Sequence, residues 1–346
     1  MSNSRKKIAL VTGASGQDGA YLCEFLLKKK YKVIAADRRS ARNTNWRFQF
    51  LNIEKNIIKE EIDLSDLGSI VKLFKEYKFD EVYNLAAQSF VKSSFTSPMS
   101  TSDINSMGVL RLLETIRYFS KKTKFYQAST SEMFGNINKK LQDETTLFYP
   151  RSPYAVSKIF AHHMVKNYRD SYGLFACCGI LFNHESPLRG EEFVTRKIIK
   201  QATEVSLGLR KNILLGNIYS KRDWGFAKDY VEAMWLMLQQ KKPDDYVIAT
   251  EKNTSIKEFV NKVFKLLNLD IVWKGKGINE IALLKKNKQT VVKIDKKFFR
   301  PAEVDFLKGS YKKAKKKLGW SPKTSLDEMI KIMLKAELNN YNFNNK

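Results

Sequence analysis

Ile8-Ala9-Leu10-Val11 runs straight into Thr12-Gly13-Ala14-Ser15-Gly16-Gln17-Asp18-Gly19, after which Tyr21, Leu22, Phe25 and Leu26 recur at helical spacing. An apolar strand, a glycine turn and an amphipathic helix leave little choice of fold. The glycines permit a tight turn and the close approach of a pyrophosphate, which then rests on the helix amino-terminus. The spacing G-x-x-G-x-x-G differs by one position from the standard dinucleotide fingerprint, and its place directly after the first strand gives it weight.

The same alternation continues. Short apolar runs at Ile8 to Val11, Val33 to Ala36, Ile57 to Ile62, Val82 to Leu85, Phe125 to Ala128 and Ala176 to Leu181 predict strands. Helical patterns fall between them at about 20–30, 66–77, 102–120 and 153–172. Ser152 before Pro153 starts the last of these with a capping side chain and a proline at the first helical position. Repeated βαβ units predict an α/β fold, a doubly wound parallel sheet of the Rossmann type. A helix near 228–240 and a strand at Tyr246 to Ala249 return to that sheet. The expected division is a dinucleotide-binding domain of residues 1–182 plus 226–250, a smaller mixed α/β substrate-binding lobe of 183–225 plus 251–338, and a frayed tail at 339–346.

Bulk composition narrows the function classes. The net charge of +26 invites a nucleic-acid reading, but the lysines are scattered and the densest run, Lys312 to Lys317, reads as a solvated helix face. No zinc-finger or ribonucleoprotein signature is present, so no nucleic-acid partner is expected. Cys23, Cys177 and Cys178 form no disulfide framework and no metal spacing. No apolar run reaches membrane-span length and the start lacks a signal-peptide layout, so a cytoplasmic protein without a membrane partner is expected.

The chemistry lies at the strand ends. The second strand ends at Asp37, where a carboxylate suits an adenosine ribose and NAD; Arg38, Arg39 and Ser40 follow at once and suit a 2′-phosphate. A carboxylate repels a phosphate dianion, so the two requirements conflict; the arginines lean the reading to NADP, with NAD the alternative. Asp63 and Leu64 follow the third strand, and Leu85, Ala86 and Ala87 the fourth, placed to line the adenine and ribose sides. Tyr154 and Lys158 are four apart and share a helix face. A free tyrosine has a pKa of about 10, and a neighbouring ammonium lowers it towards use as a base. Ser129-Thr130-Ser131-Glu132 at the end of the fifth strand adds a hydrogen-bond donor, Thr130, and a second possible base, Glu132. The plain alternatives are a strand-end cap and a surface carboxylate. Two proton-transfer groups in one site point beyond simple hydride transfer, towards dehydration.

Eight stretches resemble a known family: Thr12 to Gly19, Asn84 to Ser89, Phe125 to Glu132, Phe148 to Val156, Gly179 to Pro187, Phe193 to Ile198, Arg222 to Gly225 and Phe299 to Val304. On these the chain is similar to the extended short-chain dehydrogenases/reductases, within them to the GDP-mannose 4,6-dehydratase family. The resemblance implies a hydro-lyase that oxidises C4 of a GDP-hexose, eliminates water across C5–C6 and returns hydride to C6, with the cofactor tightly bound and regenerated. It implies that Tyr154 takes the 4-hydroxyl proton, Thr130 bonds the oxygen at C4, Lys158 holds the ribose, and Glu132 removes the C5 proton. It further implies cofactor contacts from Gly13, Ser15, Gly16, Gln17, Asp18, Gly19, Leu181, His184 and Arg189. Around GDP and sugar it implies Ser89, Ser131, Asn183, Val194, Lys197, Gly216, Arg222, Arg300 and Glu303, with no metal.

Two departures matter. The family usually carries an apolar residue at Asp37, and the arginine-rich loop from Arg38 that joins subunits in the family is somewhat short here. A homo-oligomer, dimer or tetramer, is still expected. The alternatives are a GDP-manno-heptose dehydratase, a nucleotide-sugar epimerase or reductase of the same fold, and, in another class, a basic NADP-binding regulatory protein.

Overall fold

The computed structural model describes residues 5–41, 43–136, 139–299, 304 and 306–344. Strands β1 (Ile8–Thr12), β2 (Lys32–Asp37), β3 (Ile58–Glu61), β4 (Glu81–Asn84), β5 (Lys124–Thr130) and β6 (Ala176–Leu181) form one sheet with the edge strand Tyr246–Ile248. Every pairing is parallel. The order is β3-β2-β1-β4-β5-β6 followed by the edge strand, so the winding reverses between β1 and β4. That reversal opens the crevice in which open α/β sheets bind ligands, beyond the carboxyl ends of the strands. The expected strands are all present; β3 is shorter than expected because Ile57 and Ile62 fall outside its ladder.

The central strands are apolar on both sides because helices cover both faces. The first half contributes α1 (Gln17–Lys28), α2 (Trp46–Phe50), α3 (Leu67–Glu76), α4 (Val91–Thr96), α5 (Pro98–Ser102), α6 (Gly108–Phe119) and α7 (Pro153–Tyr172). One face buries Leu22, Leu26, Tyr230, Met234 and Trp320; the other buries Leu73, Leu112, Ile116 and Val165. Helix α7 starts as expected: Ser152 Oγ accepts the Ala155 N–H at 3.1 Å and Pro153 takes the first turn. It ends on Gly173, whose φ of +68° is the left-handed cap that glycine adopts without a Cβ clash.

The pattern expected as a single helix over 102–120 is a longer one. Helices α5 and α6 are continuous through a wide π-turn at Asp103–Met107. Inside it, Asn105 accepts the Gln88 N–H (2.9 Å) and donates to the Gln88 carbonyl (3.1 Å) and to Ser157 Oγ (3.2 Å). The turn therefore ties the loop after β4 to α7.

The remaining helices are α8 (Val194–Ser206), α9 (Ala227–Leu238), α10 (Ile256–Leu266), α11 (Lys312–Leu318) and α12 (Leu326–Asn344). Helices α9 and α11 pack on the main sheet, Ala314 and Leu318 of α11 joining its core. Helices α8, α10 and α12 surround a four-stranded unit of Ile271–Lys274, Ile281–Leu284, Thr290–Ile294 and Ile213–Leu215, with its own core of Ile198, Phe259, Val292 and Ile330. The frayed tail expected from 339 is instead helical to Asn344. Tyr341 donates to Glu204 Oε1 (2.8 Å), and the buried Arg196–Glu337 ion pair fixes the preceding turn.

Candidate active site

A cavity of about 300 Å³ opens over the switch point, between the carboxyl ends of β4, β5 and β6 and the second lobe. Thr130, Ser131, Glu132, Tyr154 and Lys158 all line it. Thr130 is the last residue of β5 and its Oγ1 accepts the Glu132 N–H (3.2 Å), which turns the chain and points Glu132 inward. Glu132 is 9% exposed.

Burial pushes the Tyr154 phenol up to about 12; its hydrogen bond with Thr130 lowers it and the Glu132 charge raises it. The expected acidification by Lys158 is therefore not what the protein alone produces. Lys158 Nζ donates to the Ala128 carbonyl (2.9 Å) and stands 5.9 Å from the Tyr154 ring centre. Burial pushes Lys158 itself down to about 8. The cation is held at a strand end, one helical turn from the phenol.

The glycine turn meets the test for a dinucleotide. Gly13 has φ +67°, and a Cβ there would lie 2.7 Å from the Ala86 backbone nitrogen, so only glycine permits this approach. Gly16 precedes α1 and no side chain caps the helix, leaving its first N–H groups directed at the crevice. Gly19 packs on Gly13 and Ala14. Asp18 is drawn away from the helix start by His184, whose Nε2 lies 2.7 Å from Asp18 Oδ2 while Nδ1 donates to the Phe182 carbonyl (2.7 Å). Burial disfavours both charges, but the pairing wins: Asp18 is lowered and His184 raised from their ordinary values. Gln17 is structural here, donating to the His184 carbonyl (3.1 Å) and accepting from Ser186 Oγ (2.7 Å).

Along β2 and β3, Ser15 N–H donates to Asp37 Oδ2 (2.8 Å), and Arg38 and Arg39 are exposed. Asp63 accepts from Ser65 N–H and Oγ, and Leu64 packs against Gly108 in the core. These residues flank the cavity rather than line it; so does Ala86, beneath Gly13. Leu85, Ala87, Leu181, His184 and Arg189 line it.

Ser89, in the loop after β4, also lines the cavity, and on the second-lobe side its wall holds Asn183, Val194, Lys197, Gly216 and Arg222. Lys197 Nζ lies 3.3 Å from the Phe298 ring centre, and burial pushes it down to about 8. The side-chain oxygens of Asn183 and Ser220 are buried with no partner among the described residues. Asn183 Oδ1 can accept from a ligand N–H or O–H, and Ser220 Oγ can donate or accept, so both fit a polar ligand. Arg300 and Glu303 lie outside the described residues. Among the described residues no cluster of His, Cys, Asp and Glu could hold a metal, and no helix is long and apolar enough to cross a membrane.

A doubly wound sheet with a glycine turn on β1 and a tyrosine–lysine pair facing the end of β5 defines the class, an extended short-chain dehydrogenase/reductase. The family described as GDP-mannose 4,6 dehydratase matches residues 10–333. The chain is 48% identical to the GDP-mannose 4,6-dehydratase of Yersinia enterocolitica, over 96% of this chain and 94% of that one. It is also 48% identical to the GDP-mannose 4,6 dehydratase of Homo sapiens, over 96% and 92%. Among solved structures it resembles the UDP-glucose 4-epimerase of Thermotoga maritima with UDP-glucose (TM-score 0.80, 25% identity, 96% and 99% covered). The dTDP-glucose 4,6-dehydratase of Bacillus anthracis, in complex with NAD, shares the fold (TM-score 0.80, 21% identity, 97% and 98% covered). The chain belongs to the GDP-mannose 4,6-dehydratase family.

Several site residues escape a reading of the sequence. Arg47 in α2 donates to the Ser15 carbonyl (2.9 Å) and the Leu188 carbonyl (2.8 Å), pinning the glycine turn to the loop after β6. Glu185 pairs with Arg189 (3.2 Å) and accepts from Thr195 Oγ1 (2.5 Å). Phe298 walls the lobe side. Arg47 and Phe298 have no local signal, since their contacts are made only by chain closure; the Glu185–Arg189 pair is four residues apart, but a spacing of opposite charges does not by itself mark a site. The 198, 199, 202, 205 apolar spacing of α8 was the one pattern that could have placed Val194 and Lys197 on a helix.

Proposed function

We propose that this chain converts GDP-mannose to GDP-4-dehydro-6-deoxy-D-mannose with the residues of the β5–α7 cavity. The observation that carries the reading is the burial of Glu132 in the same cavity as Tyr154 and Thr130. An epimerase or reductase has no required task for that carboxylate; a dehydratase does.

The Gly13–Gly19 turn and Lys158 would hold a nicotinamide dinucleotide, which would supply the hydride chemistry at C4 and C6. Tyr154 takes the proton of the 4-hydroxyl, with Thr130 bonding the same oxygen. Its high value with Lys158 already 5.9 Å from the ring means that burial outweighs that ammonium, and a further positive charge beside the phenol would be needed to make it a base. Once C4 is a ketone the C5 proton is acidic, and Glu132 removes it. The hydroxyl leaves C6 and with the C5 proton balances as one water; C6 then gains the hydride equivalent lost from C4, and C5 gains a proton equal to the one Tyr154 took from the 4-hydroxyl. No net oxidation results. Lys197 and Arg222 would take the diphosphate, with Asn183 and Gly216 in the same cavity wall. Arg38 and Arg39 favour NADP, with NAD the alternative.

The enzyme acts as a homo-oligomer in the cytoplasm. Val156 and Phe160 on α7, with Met107 and Phe119 at the ends of α6, leave an apolar outer face exposed, and the three buried thiols suit a reducing compartment.

Incubation with GDP-mannose and, separately, GDP-manno-heptose, without added reductant, tests the reading by mass spectrometry. Loss of one water from GDP-mannose is expected. Loss from the heptose alone moves the assignment to the longer sugar, and loss from neither refutes dehydration.

A further inference from the structure

Strand β2 ends on Asp37, where unlike chemistries meet. The carboxylate is drawn onto the glycine turn by the Ser15 N–H (2.8 Å). Arg38 and Arg39 leave the strand next and are exposed. Arg38 lies close enough to Asp63 that its charge helps to lower that carboxyl. Arg47, the other guanidinium nearby, is committed to the Ser15 and Leu188 carbonyls. The end of β2 is where an adenosine ribose sits in a doubly wound sheet. This chain presents there one carboxylate, which suits a free 2′-hydroxyl, and two guanidinium groups, which suit a 2′-phosphate.

We propose that this corner is a two-way cofactor selector: Asp37 accepts from the 2′-hydroxyl of NAD, Arg38 and Arg39 grip the 2′-phosphate of NADP, and the protein binds both with similar affinity. The inference rests on the dinucleotide reading above and adds the choice between the two forms. A carboxylate without the arginines would reject a phosphate dianion, and arginines without the carboxylate would reward it. Here each moderates the other.

The groups facing Asp37 give the selector a pH response. Arg47 approaches from α2, Cys23 from α1, Glu61 stands in register on β3, and Arg38 follows on the chain. Burial pushes the Asp37 carboxyl up to about 6, the Ser15 hydrogen bonds and the Arg47 charge opposing the rise. Acid therefore removes the repulsion while the guanidinium groups stay charged; the 2′-phosphate loses charge at about pH 6 as well, so the Asp37 effect is the difference between wild type and Asp37→Asn, which shrinks from pH 7.5 to 5.5.

The test is calorimetric titration of the full chain, cleared of co-purified nucleotide, with NAD and with NADP at pH 7.5 and 5.5. Wild-type dissociation constants within about tenfold of each other at pH 7.5 are expected. Asp37→Asn should move the affinity ratio towards NADP by about 10-fold or more, the scale of a charge-assisted hydrogen bond. Replacing Arg38 and Arg39 by Ala should move it about as far towards NAD. Misfolding weakens both ligands alike and leaves the ratio unmoved, and the exposed double variant is available if Asp37→Asn does not fold. An unchanged ratio in Asp37→Asn that still binds, or in the double variant, overturns the selector alone. Wild type that binds neither nucleotide overturns the dinucleotide reading as well.

Discussion

Replacing Lys158 by Met should abolish turnover and yet stabilise the fold. Lys158 is 3% exposed, and burial carries its ammonium from 10.5 down to about 8. At 1.36 kcal/mol per unit, a fall of about 2.5 units means that the charged form destabilises the native state by about 3 kcal/mol. Methionine keeps the unbranched apolar stem. The Ala128 carbonyl that Lys158 bonds keeps a second donor, Gln127 Nε2 at 3.1 Å, so little is left unpaired. With an unfolding entropy near 2.1 cal/mol/K for each of 346 residues, about 0.7 kcal/mol/K in all, a net gain of about 1–3 kcal/mol raises Tm by about 1–4 °C. The pH dependence is sharper still. The folded pKa is depressed, so the unfolded chain binds more protons between pH 8 and 10.5. The contribution of Lys158 to wild-type stability therefore rises with pH through that window and rests at its lower level below pH 8. The Lys158→Met variant has no ammonium to titrate, so its advantage is greatest at pH 7 and disappears towards pH 10.5. Thermal melts of nucleotide-free wild type and Lys158→Met at pH 7 and pH 10 measure this directly. A variant that melts lower at pH 7, or a difference that does not change with pH, would refute the claim that the ammonium is held at a penalty for catalysis.

Glu132→Gln conserves volume and should slow formation of the 6-deoxy product by about 10²–10⁴-fold while GDP-mannose still reduces the bound cofactor; full turnover would remove Glu132 from its role. Gly13→Ala places a Cβ 2.7 Å from the Ala86 nitrogen at φ +67°, costs about 2–5 kcal/mol, and should abolish dinucleotide binding by titration. Arg196→Met strands the buried Glu337 carboxylate and should lower stability by about 3–5 kcal/mol in denaturant melts; adding Glu337→Leu should restore most of it.

Local pattern carried much of this molecule. The β1–glycine turn–α1 unit, the span of β6 and the Ser152–Pro153 start of α7 were all visible, because strand period, helix period and capping chemistry are short-range properties. The Tyr154–Lys158 spacing put both side chains in the cavity for the same reason. What stayed hidden was set by closure. The partner of Lys158 is a carbonyl 30 positions away, and Arg47 reaches Leu188 across 141. The high value of Tyr154 follows from burial, which no spacing encodes. The second lobe was vague because strands such as Ile213–Leu215 are too short to show a period. The stretch from 339, expected to fray, continues α12, and Tyr341 there donates to Glu204, a partner 137 positions away that no local pattern announces.

The π-turn at Asp103–Met107 gives one helix two allegiances. In α-geometry each added residue advances the azimuth by about 100°, and a wide turn absorbs about one residue without that advance. The stretch before it and the stretch after it are thereby out of phase. Thr101 addresses Gln88, whereas Val109, Leu112, Leu113 and Ile116 address the sheet. Deleting a single residue there would put both stretches in phase, and the helix could satisfy the sheet or the loop after β4, but not both. Chain length at this point is thus under tighter constraint than residue identity, and it couples the alignment of the cavity floor to a bulge that no side chain announces.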